Sequence, residues 1–214
     1  MVKHHPNENL LAEYAAGSLP FGLSIGVSAH LHFCSRCRHR LESLNDLGGT
    51  LLADTQAVPV AADLLDSVMA RLDTPVQQQP KPANRFNLPQ VLEKLVPDLK
   101  SLRWRRLSPS LRVSRLQAGQ DRYEVALHKI SRGGKVAEHD HRGQEVTVVL
   151  KGSFSDDEGV YTPGDFLLRE PGDVHRPRAT QNQDCLCLSV VEAPVLLTGW
   201  FNRWLNPLLS FKPG

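Results

Sequence analysis

His30-Leu31-His32-Phe33-Cys34-Ser35-Arg36-Cys37 places one imidazole and two thiols in a His-x3-Cys-x2-Cys spacing. On a helix, positions three, four and seven apart share a face. His30, Cys34 and Cys37 then converge on one point. Nitrogen and thiolate ligands suit a tetrahedral zinc, which needs a fourth. His5, 25 residues before His30 in an extended N-terminus, is the candidate. His4 and His32 are its rivals for the histidine positions. His32 projects about 200° around a helix from His30, which favours His30. The competing account is chance proximity of small residues that are commonly buried.

A second constellation reads Gly133-x5-His139-Asp140-His141-x3-Glu145-x6-Gly152, with His175 following Glu170-Pro171-Gly172-Asp173-Val174. On a strand, residues two apart share a face, so His139 and His141 can both point into a barrel, and Glu145 returns to the same interior. Three imidazoles and a carboxylate make a borderline site that accepts zinc, manganese, iron or nickel. Taken singly, His139 or His141 would be a satisfied polar residue in a turn. His128 reads as an ordinary strand histidine. Cys185 and Cys187 alternate onto one face. They are small buried residues by default and a redox-sensing pair on the sharper reading. A disulfide between same-face neighbours on one strand would be strained.

Two kinds of element must carry these groups. A first helix through Asn9–Ala16 can open at Pro6 or Asn7 and ends at Gly17-Ser18-Leu19-Pro20. A second is predicted from Phe21–Ser24 unbroken through Leu41 and Leu44, with Gly48-Gly49 as a break and a shorter helix around Leu51–Asp54. Ala61–Leu72 is amphipathic, with Leu64, Leu65, Val68 and Leu72 on one side. Thr74–Pro82 is rich in Pro and Gln and reads as an extended linker. Leu88–Leu99 can form a short helix. From Leu111 the period shifts to two, and short strands between Gly, Pro and Asp turns predict a β-barrel or double-sheet jelly roll. The predicted division is 1–80 helical, 81–100 linker and short helix, 101–195 β, and 196–214 a C-terminal tail.

The hydrophobic share, 41%, is enough for a core. A helical unit of about 75 residues is nonetheless marginal alone, and a structural metal is a usual remedy. No run approaches the roughly 20 apolar residues of a membrane span, and the N-terminus lacks a signal peptide's apolar stretch. A cytoplasmic location is therefore expected, where cysteines serve as ligands or free thiols. Residues 1–80 hold 5 Lys+Arg against 8 Asp+Glu, net −3; the remainder holds 20 against 15, net +5. An acidic N-terminal part suits a basic partner protein, although solvated surface charge explains it as well. Trp104-Arg105-Arg106-Leu107 is too short to argue for nucleic-acid binding.

His5, His30, Cys34 and Cys37 together resemble the zinc-binding anti-sigma domain of bacterial regulators. The later motifs resemble the two cupin motifs. The first matches in full. The second has Gly164, Pro171, Gly172 and His175, but its proline abuts the glycine and Ala179 stands where many cupins have Asn. The two in this order resemble the ChrR family of anti-sigma factors, over nearly the whole chain. The resemblance implies a multidomain α + β protein, a small zinc-stabilised helical N-terminal domain followed by a cupin (β-barrel/jelly-roll) domain. It implies Zn2+ at the N-terminal site, and Zn2+ or another divalent metal at His139, His141, Glu145 and His175. It further implies a one-to-one complex with an extracytoplasmic-function-type sigma factor, released in response to singlet oxygen or related oxidants, without direct nucleic-acid or membrane contact. The alternative is a metal-dependent cupin enzyme, dioxygenase- or isomerase-like, with the zinc domain as an assembly element.

Overall fold

A computed structural model of the chain describes residues 2–72, 88–96, 98–198, 206 and 211–213. The Pro/Gln stretch 74–82, and with it the predicted 80/81 boundary, lies outside the described residues. So do Pro97 and most of 199–214.

Among the described residues, five α-helices precede the strands: α1 (Glu8–Ala15), α2 (Phe21–Phe33), α3 (Ser35–Ala53), α4 (Leu64–Leu72) and α5 (Gln90–Leu95). Asn7 opens α1, its side chain accepting from the Leu10 amide at 2.9 Å. Gly17, at φ +69°, closes it. The predicted single helix from Phe21 to Leu44 is instead two. Cys34, at φ −108° and ψ 104°, separates α2 from α3. The break is locally satisfied: Cys34 Sγ accepts from the Cys37 amide at 3.4 Å, as an N-cap would. Arg38 Nη1 donates to the Leu31 and His32 carbonyls at the end of α2, at 2.6 and 3.2 Å. Gly48-Gly49 does not break α3, which runs through both and takes in the short helix expected at Leu51–Asp54. Glycine costs a helix about 1 kcal/mol relative to alanine, a handicap and not a stop signal.

The strands are β1 (Arg105–Arg106), β2 (Leu111–Leu116), β3 (Glu124–Ile130), β4 (His139–Asp140), β5 (Glu145–Lys151), β6 (Phe154–Ser155), β7 (Val160–Tyr161), β8 (Phe166–Arg169), β9 (Arg178–Ala179), β10 (Cys185–Val191) and β11 (Leu196–Leu197). Six form one antiparallel sheet in the order β1-β2-β3-β10-β5-β8. A smaller sheet, β7-β6-β9, faces it, and β11 pairs with β4. Strand pairing thus runs to Leu197, two residues into the stretch predicted as a tail.

Period-two alternation sends the large sheet's side chains to two different cores. Val125, Leu127, Val146, Val148, Leu150, Leu188 and Val190 join a cluster with the helices. Ile130, Val149, Cys185 and Cys187 join Phe154, Tyr161 and Ala179 inside the barrel. The sheet is therefore buried on both faces, which is why its strands read as near-continuous apolar runs.

Its outer face is covered by α2. This helix is apolar nearly all round and is buried along most of its length. It contacts α1, α3 and α5 as well as β5, β8 and β10. Gly22 and Gly26, one turn apart, allow the close approach. A Cβ at Gly22 would lie 2.7 Å from Tyr123 Cβ, and one at Gly26 would lie 2.7 Å from Val146 Cγ1. Gly22→Ala is accordingly expected to destabilise the protein. Overpacking costs about 1–3 kcal/mol, against about 1 kcal/mol gained in helix propensity. Thermal unfolding should show a midpoint lowered by a few degrees; a raised midpoint would mean α2 does not sit on the sheet as described.

Candidate metal centres

Four side chains from four successive parts of the helical unit meet at the first site. His5 comes from the extended segment before α1, His30 from the last turn of α2, Cys34 from the α2–α3 break and Cys37 from the first turn of α3. Their nearest ligand atoms all lie within 4.8 Å of one another. His5 Nδ1 is 3.4 Å from both Cys34 Sγ and Cys37 Sγ. Ligands at zinc–nitrogen and zinc–sulfur bond lengths on a tetrahedron stand about 3.5 Å apart. His30 donates its Nδ1–H to the Gly164 carbonyl at 2.7 Å. Its Nε2 is then the free lone pair, and that atom is buried without a hydrogen-bond partner.

A buried acceptor without a donor is costly unless a cation meets it, so these residues fit a metal. Burial lowers the His30 pKa to about 4. Burial and then the Arg36 charge lower that of His5. Both rings are neutral ligands near neutral pH. His4 and His32 are elsewhere: His4 packs on Tyr161 and His32 on Phe33. The predicted set is thus the one brought together, although the unbroken helix that motivated it is not present.

The second site lies inside the barrel. His139 is on β4, His141 just beyond it, Glu145 opens β5, and His175 precedes β9. His139 and His175 exchange backbone hydrogen bonds at 3.2 and 3.1 Å, which registers the two ring-bearing segments. His175 Nε2 stands 2.9 Å from His139 Nε2 and 3.3 Å from His141 Nε2. Imidazole nitrogens sharing a metal at about 2.1 Å are spaced by about 3.0–3.4 Å. His139 donates Nδ1–H to the Ala137 carbonyl at 2.9 Å, which leaves Nε2 as its lone pair.

Glu145 Oε1 accepts from Ser189 Oγ at 2.8 Å and Thr147 Oγ1 at 3.2 Å. Its Oε2 lies 3.1 Å from His141 Nδ1, in a geometry that leaves that oxygen without a hydrogen bond. Burial alone would raise the Glu145 pKa. The interaction with His141 and the charges of His141, His139 and His128 outweigh it and hold the carboxyl well below the ordinary carboxylate range. Burial, and then the nearby His139, lower the His175 pKa to about 4. An ionised carboxylate and imidazole nitrogens around an orphaned oxygen again fit a divalent cation.

Several contributing residues lack a motif of their own. The Asp156 side chain is completely buried, with Oδ2 3.5 Å from His175 Nδ1 and 2.9 Å from Arg169 Nη2. Ser189 falls on the alternation that also points Cys185 and Cys187 inward, so period two could have found it. Asp156 gives no such signal, because a loop supplies it. His128 lies on β3 in register with Cys187, and burial lowers its pKa against the opposing Glu145 charge. Cys185 and Cys187 are buried with their sulfurs 3.5 Å apart.

Fold and sites together define a metal-site helical unit built onto a cupin. Residues 92–194 match the family model described as the ChrR cupin-like domain. The chain is 35% identical over 209 residues to anti-sigma-E factor ChrR of Cereibacter sphaeroides, covering 96% of this chain and 97% of that protein. It also matches the crystal structure of Rhodobacter sphaeroides SigE in complex with the anti-sigma ChrR. The TM-score is 0.76 at 34% identity, over 89% of this chain and 99% of that one. The chain belongs to the ChrR family of anti-sigma factors.

Proposed function

We propose that this protein binds and inhibits an extracytoplasmic-function-type sigma factor, one to one and in the cytoplasm, and releases it under singlet oxygen or related oxidative stress. Residues 1–80 make the sigma-binding part and 101–195 the cupin needed for release. The role is regulatory and not catalytic, and it requires neither nucleic acid nor membrane; among the described residues no helix is long and apolar enough to cross a membrane.

One observation carries the reading. The second half of α3 and all of α4 expose Leu47, Leu51, Leu52, Leu65, Met69 and Leu72, with Leu51 at 62% and Leu65 at 69%. α4 buries none of its residues. So many exposed large apolar side chains on consecutive helices mark an interaction surface. Amphipathic helices of this kind dock their apolar faces on a partner. The structural relative was crystallised with SigE, which supports a sigma factor as the occupant here.

Co-expression with the sigma factor encoded nearest to it should yield a stable one-to-one complex on size-exclusion chromatography. Leu65→Asp with Met69→Asp should weaken that complex by ten-fold or more, since truncation of an interface anchor costs about 2 kcal/mol or more. Zinc content should be unchanged. No complex, or one indifferent to these charges, would refute the assignment.

Zn2+ occupies His5, His30, Cys34 and Cys37 on this reading, and Zn2+ or another divalent ion occupies His139, His141, Glu145 and His175. The first metal staples α1, α2 and α3; the second ties β4 and β5 to the loop before β9. Burial, then the hydrogen bond and charge of Cys34, push the Cys37 thiol up to about 12. Cys37 therefore enters the site as a thiol at neutral pH, and zinc uptake must displace its proton. Zinc affinity should rise with pH through the neutral range. Titration calorimetry in buffers of different ionisation enthalpy should show at least one proton released per zinc. Proton-free binding would remove Cys37 from the ligand set.

A further inference from the structure

The first metal site is not closed by the helical unit alone. Two of its ligands are held by the cupin, at the turn Thr162-Pro163-Gly164-Asp165 that leads into β8. The Asp165 side chain is fully buried and its two oxygens serve different masters. Oδ2 stays within the turn, accepting from the Thr162 amide at 2.8 Å and the Thr162 hydroxyl at 3.0 Å. Oδ1 faces outward and accepts from the Lys3 amide at 2.7 Å and the His4 amide at 3.0 Å. The Phe166 amide then donates to the His4 carbonyl at 3.1 Å. The segment preceding His5 is thereby fastened to the start of β8. One residue earlier in the same turn, the Gly164 carbonyl accepts the His30 Nδ1–H at 2.7 Å.

Only a glycine serves at 164. Its φ is +93°, and a Cβ there would lie 2.6 Å from Phe33 Cβ and 2.7 Å from Val2 Cγ2. The turn, the end of α2 and the N-terminal segment are thus in direct contact, and the two hydrogen-bond systems share one four-residue loop.

We infer that Asp165 and the Gly164 carbonyl are positioning groups of the N-terminal metal site, supplied by the cupin: Asp165 sets the place of His5 and Gly164 sets the tautomer and orientation of His30. Neither touches the metal. An imidazole that donates its far N–H to a carbonyl is fixed with the other nitrogen toward the ion, and loss of such outer groups typically lowers metal affinity 10–100-fold. Metal retention at the helical unit then depends on the conformation of a cupin turn. That turn runs directly into β8, whose Arg169 pairs in register with Glu145 of the second site. The inference rests on the assignment of zinc to His5, His30, Cys34 and Cys37.

The test measures zinc loss from the full-length protein to a chelator in excess, with metal content of both sites and hydrogen exchange at the Lys3 and His4 amides. Asp165→Ala should speed zinc loss 10–100-fold and deprotect both amides, with all four ligands unaltered. Lys3→Pro removes one of the Oδ1 donors without altering any cupin residue, and should speed zinc loss in the same direction to a smaller extent. If Asp165→Ala also empties the cupin, so that the turn itself has collapsed, Lys3→Pro decides alone. Zinc loss as slow as in the parent protein, in Lys3→Pro or in an Asp165→Ala protein with its cupin metal retained, would overturn the inference. A parent protein that holds no zinc removable by Cys37→Ser would instead overturn the zinc assignment beneath it.

Discussion

Replacing Cys37 by serine is expected to release the metal from the N-terminal site and to unfold the helices that depend on it. A serine hydroxyl is a far weaker zinc ligand than a thiolate, and the remaining three groups cannot complete the tetrahedron. Structural zinc contributes about 10–16 kcal/mol of apparent binding free energy at neutral pH. Whole domains are stable by only about 5–15 kcal/mol. The loss therefore exceeds what the small apolar contacts of α1 and α3 can offset. α2 is a different case, because the β-sheet holds it from the other side. Circular dichroism should show part of the helical signal lost with the β-signal retained, and elemental analysis should show one equivalent of zinc fewer. Full zinc and a native helical signal would mean that the ligand set is misassigned.

Glu145→Ala, and likewise His141→Ala, should leave the sigma factor bound and inhibited but blunt its release by singlet oxygen. Glu145 is buried; its Oε1 accepts from Ser189 and Thr147, and its Oε2 faces His141 at the second site. Truncation removes the negative charge that a divalent ion requires there and strands the Ser189 hydroxyl in the barrel. The apolar surface of α3 and α4 belongs to other elements and should keep its partner. A ligand or oxidant acting in the barrel can release the partner only by favouring a different arrangement of the chain, and an emptied barrel has lost that lever. The readout is transcription from a sigma-dependent promoter, with and without light and a photosensitiser. Cys185→Ser with Cys187→Ser tests the competing thiol mechanism, and little effect is expected. Normal induction in the Glu145 and His141 variants, with none in the cysteine pair, would make the thiols the sensor.

Both candidate clusters were legible in the sequence, for reasons that tolerate local error. His30, Cys34 and Cys37 meet although no single helix carries them. A break at Cys34 that puts its sulfur in the capping position keeps the three residues as near as an unbroken helix would. His139 and His141 come together as strand alternation suggests, although β4 ends at Asp140 and Glu145 opens the next strand. Gly48-Gly49 misled because glycine weakens a helix without ending it. The exposed stripe on α4 showed as periodicity, but whether it was core or docking face was not written in the pattern. Least legible was the seating of α2 on the sheet. Its all-round apolar character was visible, yet nothing local says that Gly26 meets Val146. Asp156 and Asp165 act across the fold on residues far away in the chain, where spacing carries no information.

The fastening of the N-terminal segment to Asp165 also bears on the order in which the molecule can be assembled. His5 and Cys37 are only 32 residues apart, so the four candidate ligands leave the ribosome nearly together. Lys3 and Asp165 are separated by 162 residues. At about 5–20 residues per second, roughly 8–30 s of synthesis separates the two. During that interval the nascent helices can gather a metal, but the carboxylate and carbonyl that seat His5 and His30 do not yet exist. The seating of His5 and His30 inferred above is therefore complete only once the barrel has been made.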